Sequence, residues 1–328
     1  MNALSHKHTP RRAPPATAMS GFSLIEMMVS ITVGLMIVAA LVGVLASNSR
    51  GTKSNDRTAE LQSNGRYALD HLKREVHHAG YRGYTWAEPT TPTGISITNE
   101  CLEAGAAANT FVQNIRQGVW GADDSNPYTA NCLPATKYSL GDVLVLRRLA
   151  NAPTPTASLV ANTVYFRSTY AVGQMFQGVT GPTISGTPIA DFALQEYVYY
   201  IGVDDNDATI PALRRISLTA NAMVDEMVVS GIEQMQVQYG RAASNLNTQY
   251  FDASNIAGAS TDSPTTLTTY AWDDVSSVRI WLLARNAKAE TGYTNSDQYV
   301  MGNTTYGPMN DSFRRQLFTT VVQLRNHS

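Results

Sequence analysis

The sequence is poor in charged residues and in cysteine. Lys, Arg, Asp and Glu together make up 15% of the 328 residues, whereas about 25% is typical of soluble domains. The formal net charge is −2, so there is no broad basic excess to neutralise the phosphates of a nucleic acid, and we expect no direct nucleic-acid binding. Two cysteines, Cys101 and Cys132, are too few for a small disulfide-dense scaffold. The chain must therefore be stabilised mainly by an apolar core.

Motifs of catalysis are also lacking. The sequence has no G-x-S-x-G elbow, no phosphate-binding glycine loop and no credible Ser-His-Asp or paired-carboxylate arrangement. His71, His77 and His78 lie at the end of a predicted helix, so the predicted sheet has no obvious general base. The acidic run at 204–207 lacks the spacing of an EF-hand and predicts a hairpin turn instead. We expect a protein that is not an enzyme and has no catalytic, cofactor-binding or metal-ligating residues.

The most informative feature is a long apolar run that contains one acid. Residues 22–46 carry a single ionisable side chain, Glu26, and the run is long enough for a helix that crosses a bilayer. An ionised acid in the hydrocarbon costs about 2.5–3.5 kcal/mol on insertion scales, so such a residue normally has a functional partner.

Charge predicts the orientation of this segment. The leader, residues 1–21, carries Lys7, Arg11 and Arg12 and no acid. By the positive-inside rule the leader stays in the cytoplasm and the chain beyond residue 46 enters the periplasm. Three of the 24 basic residues lie in the leader, so without it 21 basic residues face 26 acidic ones, a net charge of −5.

A basic leader, Gly21, Phe22 and then Glu26 at the start of an apolar helix resemble the class III signal of type IV pilins and pseudopilins. The resemblance implies cleavage between Gly21 and Phe22 by a prepilin peptidase, methylation of the new Phe22 amine, and a role for Glu26 in assembly. Two alternatives stay open: a secretory signal cleaved after Ala46, and an uncleaved anchor. The apolar run is longer than the roughly 7–15 residues of a secretory signal core.

Periodicity predicts an α+β fold in which a long N-terminal helix packs on an antiparallel sheet, with long loops. Leu61, Ala68, Leu72 and Val76 recur at helical spacing, and this helix is expected to stop at Gly80. Residues 231–240 alternate apolar and polar side chains, which predicts a half-buried strand. Further predicted strands are 142–149, 163–168, 196–203, 212–218, 275–283 and 317–324.

The two cysteines lie in the first of two long polar segments, 85–139 and 241–274, which are expected to be functional or mobile loops. In an oxidising periplasm a structural bridge between Cys101 and Cys132 is favoured over a catalytic pair or a metal site. Closing a loop of that size stabilises a protein by about 3–4 kcal/mol in the chain-entropy model.

Four segments narrow the resemblance to one branch of the pilins: 75–83, 229–240, 275–285 and 314–326. Together they resemble PilW, a family of type IV pilus minor pilins. Members of that family often have a cysteine after the Tyr-Arg-Gly stretch, where this chain has Tyr84, so a bridge here rests on Cys101 and Cys132 alone.

The resemblance implies four regions: a cleaved leader (1–21), a transmembrane helix (22–46), an amphipathic helix (47–80) and a periplasmic β-rich head (81–328). It implies a minor pilin that helps to initiate pilus assembly and ends near the fibre tip, supporting motility, adhesion or DNA uptake. The implied partners are other minor pilins, the major pilin, a tip adhesin, the prepilin peptidase and the inner-membrane assembly platform. The alternatives are a type II secretion pseudopilin of the GspJ type and a membrane-anchored periplasmic binding module.

Overall fold

The computed structural model describes residues 21–85, 87, 89–90, 94–242, 248–256 and 272–326. The chain divides into two compact units, Met1–Ser54 and Asn55–Ser328. The predicted long helix is confirmed as α1 (Leu24–His78), which begins in the first unit and ends in the second. Residues 1–20, the predicted leader except for its last residue, lie outside the described residues.

The part of α1 in the first unit is apolar and exposed. The helix is long and apolar enough to cross a membrane, and none of its apolar window is buried within the structure. Side chains such as Met36 and Leu45 are 72% and 67% exposed. An apolar surface of this extent needs a partner outside the chain, either lipid or other protein.

The later part of α1 contributes one face to the core of the second unit. Leu61, Ala68, Leu72 and Val76 are at most 5% exposed, which confirms the predicted face. Gly65 lies on the same face, where the Phe318 ring comes so close that a Cβ atom would lie 2.2 Å from it. Glycine at this position therefore lets the final strand approach the helix.

The helix ends at contacts with the chain's C-terminal segment and with the strand that contains Arg147. Gly80 adopts a left-handed φ of 77°, and its N–H donates to the carbonyl of Arg147 at 2.9 Å. The Asn326 side-chain amide donates to the carbonyls of His78 and Ala79. The Asn326 amide thus satisfies carbonyls that a helix end leaves without intrahelical partners.

Antiparallel sheets form the rest of the second unit. The α-helix and strands after α1 are α2 (Thr110–Gln113), β1 (Val119–Ala122), β2 (Leu140–Leu149), β3 (Val164–Ser168), β4 (Gly173–Gln177), β5 (Ala190–Val203), β6 (Pro211–Thr219), β7 (Ala222–Ser230), β8 (Ile232–Ala242), β9 (Thr248–Asp252), β10 (Val275–Arg285), β11 (Tyr299–Met301), β12 (Thr304–Tyr306) and β13 (Arg315–Gln323). A seven-stranded sheet has the order β1-β2-β5-β3-β4, with β6 paired to β5 and β7 paired to β6. A four-stranded sheet has the order β13-β10-β8-β9, and β11 pairs with β12.

All seven predicted strands are present, as β2, β3, β5, β6, β8, β10 and β13. The predicted hairpin turn at 204–207 is confirmed between β5 and β6, where Asp204 accepts from the Asn206 N–H and Asp207 from the Thr209 N–H. The shorter or less regular strands β1, β4, β7, β9, β11 and β12 were not predicted. The predicted α+β class, with a long helix and antiparallel sheets, is confirmed.

The prediction that β8 is half-buried is wrong. Its apolar face is buried as expected, but Gln234 and Gln236 on the other face are each only 3% exposed. The Gln236 amide donates to Asp124 Oδ1 at 2.7 Å, and the Gln238 amide donates to Asp252 Oδ1 at 2.9 Å. Neighbouring segments cover the polar face, and their carboxylates replace the water that these amides would otherwise bind.

The prediction of a long loop at 85–139 also needs correction. This segment contains α2 and β1, and its side chains Phe111, Ile115, Tyr128 and Leu133 are fully buried. The apolar residues are too irregularly spaced to show a period, so the sequence pattern missed them. Of the second predicted loop, residues 243–247 and 257–271 lie outside the described residues, whereas β9 occupies part of the remainder.

Candidate functional site

The start of α1 is organised by Ser23 and Glu26. The Ser23 N–H donates to Glu26 Oε2 at 2.9 Å, and the Met27 N–H donates to the Ser23 carbonyl at 3.1 Å. A serine followed three residues later by a glutamate that reaches back to its N–H is the pattern of a capping box. Glu26 therefore also has a structural role within the chain. The Ser-x-x-Glu spacing in the sequence predicts this cap, which was not among the expectations above.

The predicted cleavage position lies just before this cap. Gly21 and Phe22 precede α1, and the Phe22 side chain is 83% exposed. Among the described residues, nothing lies within 4 Å of the position that a Cβ atom on Gly21 would occupy. The bond between the two residues is thus outside the helix and is not covered by the described part of the chain, while its cleavage and the methylation of Phe22 stay predictions.

Cys101 and Cys132 meet in the second unit. Their sulfur atoms are bonded, at 1.99 Å, across a sequence separation of 31 residues. Both residues are buried, and the Asn131 amide next to the bridge donates to the Leu102 carbonyl at 2.8 Å. The bridge closes the segment that holds α2 and β1.

Three carboxylates that the sequence analysis did not group come together at one corner of the seven-stranded sheet. Asp123 and Asp124 follow β1, and Asp142 lies near the start of β2. The strands pair with Ala122 opposite Val143, so residues just beyond β1 lie beside Asp142. One carboxylate oxygen from each aspartate lies within 4.8 Å of the others. The sequence shows only that Asp123 and Asp124 are adjacent, because Asp142 is brought to them by the pairing of β1 with β2.

Backbone N–H groups hold the innermost carboxylate. Asp142 accepts from the Asp124 N–H at 3.0 Å and from the Val237 N–H at 2.7 Å. Burial nevertheless raises the pKa of Asp142 to about 7, against the lowering effect of these two hydrogen bonds. The ionised carboxyl is therefore costly here unless a cation neutralises it.

A buried tyrosine accompanies the three aspartates. Tyr239 of β8 is fully buried, and among the described residues its hydroxyl has no hydrogen-bond partner. The hydroxyl lies beside Gly121, two residues before Asp123, where a Cβ atom would be 1.9 Å from the hydroxyl oxygen. Burial raises the pKa of Tyr239 well above its usual value, and the charges of Asp142 and Asp123 raise it further.

A buried pair of ionisable side chains lies elsewhere in the same unit. Arg147 Nε and Glu196 Oε1 are 3.6 Å apart, and neither side chain is exposed. Neither carboxylate oxygen of Glu196 accepts a hydrogen bond from the described residues. Burial raises the pKa of Glu196 to about 8, although the charge of Arg147 opposes this shift.

The exposed apolar helix and the antiparallel sheets define an α+β protein with a long N-terminal helix. Residues 198–326 match the family model of PilW, the type IV pilus-assembly protein W. This match confirms the resemblance over the last part of β5 and the strands that follow it, and it relates the chain to the type IV pilus.

Among solved structures, the chain is similar to the type IV-like pilin TTHA1219 from Thermus thermophilus. The sequence identity is 16% and the TM-score is 0.34, with 83% of this chain and 98% of that chain covered. No curated protein matches the chain.

Proposed function

We propose that the chain is a minor pilin that helps to initiate type IV pilus assembly. The match of residues 198–326 to the pilus-assembly protein W family carries this proposal. The arrangement of Gly21, Phe22 and Glu26 before an exposed apolar helix supports it. A structural role, without catalysis, is the function that these features favour.

In this proposal, residues 1–21 are removed, and Phe22 becomes a methylated N-terminus. Residues 22–46 anchor the subunit in the inner membrane, residues 47–80 form its amphipathic stem, and residues 81–328 form a periplasmic head. The subunit then leaves the membrane with the fibre. Its partners are other minor pilins, the major pilin, a tip adhesin, the prepilin peptidase and the assembly platform.

The contacts of the stem residues in the second unit support the proposal that this part of the stem and the head move as one body. Arg57 donates to the carbonyl of Ala289 at 3.2 Å, and further along the helix Glu75 pairs with Arg148 at 3.0 Å. Together with the buried apolar face, these contacts attach this part of the helix to the rest of the second unit. A force applied to it during extrusion would therefore be transmitted to the sheets of the head.

Tip placement needs different support from that suggested by the sequence, because much of the predicted first loop is built into the head. The second unit comprises Asn55–Ser328 and carries sheets of seven, four and two strands. A bulk subunit repeats the same contacts throughout a thin helical fibre. A head of this size fits more readily at an end, where it needs neighbours on one side only.

The processing step is tested by mass spectrometry of the protein extracted from membranes. The proposal predicts an intact mass equal to residues 22–328 plus one methyl group. Gly21→Val should accumulate the uncleaved form, because a β-branched residue restricts the extended backbone that a protease needs. A mature protein that begins at Ser47 would contradict the proposal and indicate a secretory signal.

Two substitutions of Glu26 distinguish a role in charge pairing from its role in the capping box. We propose that its carboxylate pairs with the Phe22 amine of a neighbouring subunit, so that two charges that are costly in lipid neutralise each other. Glu26→Gln keeps an acceptor for the Ser23 N–H but removes the charge, because glutamine also serves in a capping box. Glu26→Ala removes both.

If charge pairing matters, both variants should be cleaved normally and both should fail to restore pili in a deletion strain. They should also lose co-purification with other minor pilins. If Glu26→Gln restores pili as well as the wild type, the cap alone explains the residue, and the pairing proposal is wrong. If Glu26→Ala restored pili fully, neither the charge pairing nor the cap would be needed for piliation.

A further inference from the structure

The corner between β1 and β2 brings three carboxyl groups together. Asp123, Asp124 and Asp142 place one oxygen each within 4.8 Å of the others. The ion pairs among the described residues bring no lysine or arginine to any of them. Like charges at this distance repel, and the repulsion grows as water is excluded.

The hydroxyl of Tyr239 is an independent observation that points to a ligand at this corner. Its hydroxyl is fully buried and has no hydrogen-bond partner among the described residues, which is a costly state for a polar group. The hydroxyl lies against Gly121, in the chain segment that leads directly to Asp123. It therefore adds an oxygen atom to the same corner, and the glycine leaves room for it.

The three carboxylates are oriented by their surroundings. Asp123 Oδ2 accepts from the Ser254 hydroxyl at 2.5 Å, and Asp124 Oδ1 accepts from the Gln236 amide at 2.7 Å. Together with the two N–H donors to Asp142, these hydrogen bonds orient the carboxylate oxygens. Hydrogen bonds to the ligating side chains have the same effect in metal sites. Asp142 is buried, Asp123 is partly buried and Asp124 is exposed, so an ion can approach from the side of Asp124.

We propose that this corner binds a calcium ion through Asp123, Asp124, Asp142 and the hydroxyl of Tyr239. All four ligands are oxygen atoms, and no histidine or cysteine joins them, which favours a hard cation over zinc. Calcium accepts six to eight oxygens in flexible geometry, so waters on the open side complete its shell, whereas magnesium demands a near-ideal octahedron. Extracellular calcium modules bind with Kd values of about 10⁻⁴–10⁻³ M, and we expect this range.

Bound calcium would join three parts of the head: the end of β1, the start of β2 and strand β8. The proposal is independent of the pilus function, because the cluster belongs to the fold of the head. Its failure would therefore leave the minor pilin proposal intact.

The first experiment measures terbium luminescence of the full chain in detergent micelles, excited through tryptophan. Terbium is an oxygen-binding substitute for calcium, and Trp272 packs 4.8 Å from the Tyr239 ring, so bound terbium should be sensitised. Calcium should displace the terbium with half-maximal effect near 10⁻⁴–10⁻³ M. Magnesium at the same concentration should displace at least tenfold less terbium than calcium does.

The test variant is the double substitution Asp123→Asn and Asp124→Asn. Asp124 has a left-handed φ of 40°, a conformation that asparagine tolerates, so the turn should persist. The matched control is Asp204→Asn with Asp207→Asn, which removes the same charge from another acidic turn. The test variant should lose calcium affinity at least tenfold, and the control should keep the wild-type value.

The second experiment measures thermal unfolding, which also shows whether each variant is folded. Calcium should raise the midpoint of the wild type and of the control but not that of the test variant, because only a ligand bound to the folded state stabilises it. Tyr239→Phe, read by the same assay, should respond to calcium only at higher concentration.

The proposal is overturned if calcium does not displace terbium, or if the folded test variant binds calcium as tightly as the wild type. It is also overturned if the test variant and the control variant lose calcium binding equally. An unchanged affinity of the folded Tyr239→Phe variant would overturn the assignment of the hydroxyl as a ligand.

Discussion

Gly65→Ala tests whether the stem is fitted to the head by close contact with the last strand. A Cβ atom on Gly65 would lie 2.2, 2.5 and 2.7 Å from three ring atoms of Phe318. The ring must therefore move by more than an ångström to restore ordinary contact. Phe318 pairs with Leu282 through β13 and β10, so movement of its backbone would also disturb the sheet.

Two opposing terms set the magnitude. Alanine in a helix interior is favoured over glycine by about 0.5–1 kcal/mol, whereas overpacking costs about 1–3 kcal/mol. We expect a net destabilisation of about 1–2 kcal/mol, because the half-buried Phe318 ring can partly swing aside at the expense of exposing apolar surface. At about 2–4 °C per kcal/mol for a unit of this size, the midpoint should fall by roughly 2–8 °C.

In a Phe318→Ala background, Gly65→Ala should stabilise the head instead of destabilising it. Without the ring, Gly65→Ala no longer meets an obstacle, and the helix preference of about 0.5–1 kcal/mol remains. Gly51→Ala is the control on the same helix, because no described residue lies within 4 Å of its Cβ position. It should leave the midpoint of the head unchanged.

The assay is thermal unfolding of the full chain in detergent, followed by near-ultraviolet circular dichroism. A rise in the midpoint for Gly65→Ala in the wild-type background would refute the close contact. So would an equal destabilisation in the Phe318→Ala background.

Three further predictions concern the head. Replacing Cys101 and Cys132 by serine should lower the free energy of unfolding by about 3–4 kcal/mol, measured by denaturant titration; an unchanged midpoint would show that the bridge does not stabilise the head. Leu72→Ala should cost about 2–5 kcal/mol, because a fully buried side chain leaves a cavity; a loss below 1 kcal/mol would indicate that the stem is not part of the core. The third is a pH dependence: the pKa of Glu196 is raised from 4.5 to about 8 in the folded state, so this group stabilises below pH 4.5 and loses that contribution as pH rises through 8. Glu196→Gln should remove this fall, and parallel unfolding profiles for both proteins between about pH 5 and 9 would contradict the raised pKa.

Much of the architecture follows from local sequence pattern. Leu61, Ala68, Leu72 and Val76 recur at a helical period, and the structure buries them all. Strand β8 could be predicted from its alternation, because successive side chains of a strand point to opposite faces and so give a period of two. Its burial on both faces could not, because the carboxylates that cover the glutamines come from residues distant in sequence, such as Asp124.

Of the candidate sites, one could be predicted from local sequence and the other could not. Gly21, Phe22 and Glu26 form a contiguous motif that can be read directly. Asp142 joins Asp123 and Asp124 only because β1 pairs with β2, and Tyr239 joins them only because the two sheets pack together. Proximity of this kind depends on tertiary pairing, which a single sequence does not reveal.

The central claim is that the chain is a minor pilin used once or a few times per fibre. The most direct measurement is immunogold labelling of sheared pili that carry an epitope in the turn at Tyr170, which is 69% exposed, in a strain otherwise deleted for the gene. The account predicts gold at fibre ends and no pili in the uncomplemented strain. Uniform labelling along the shaft, or normal pilus numbers in the deletion strain, would contradict it.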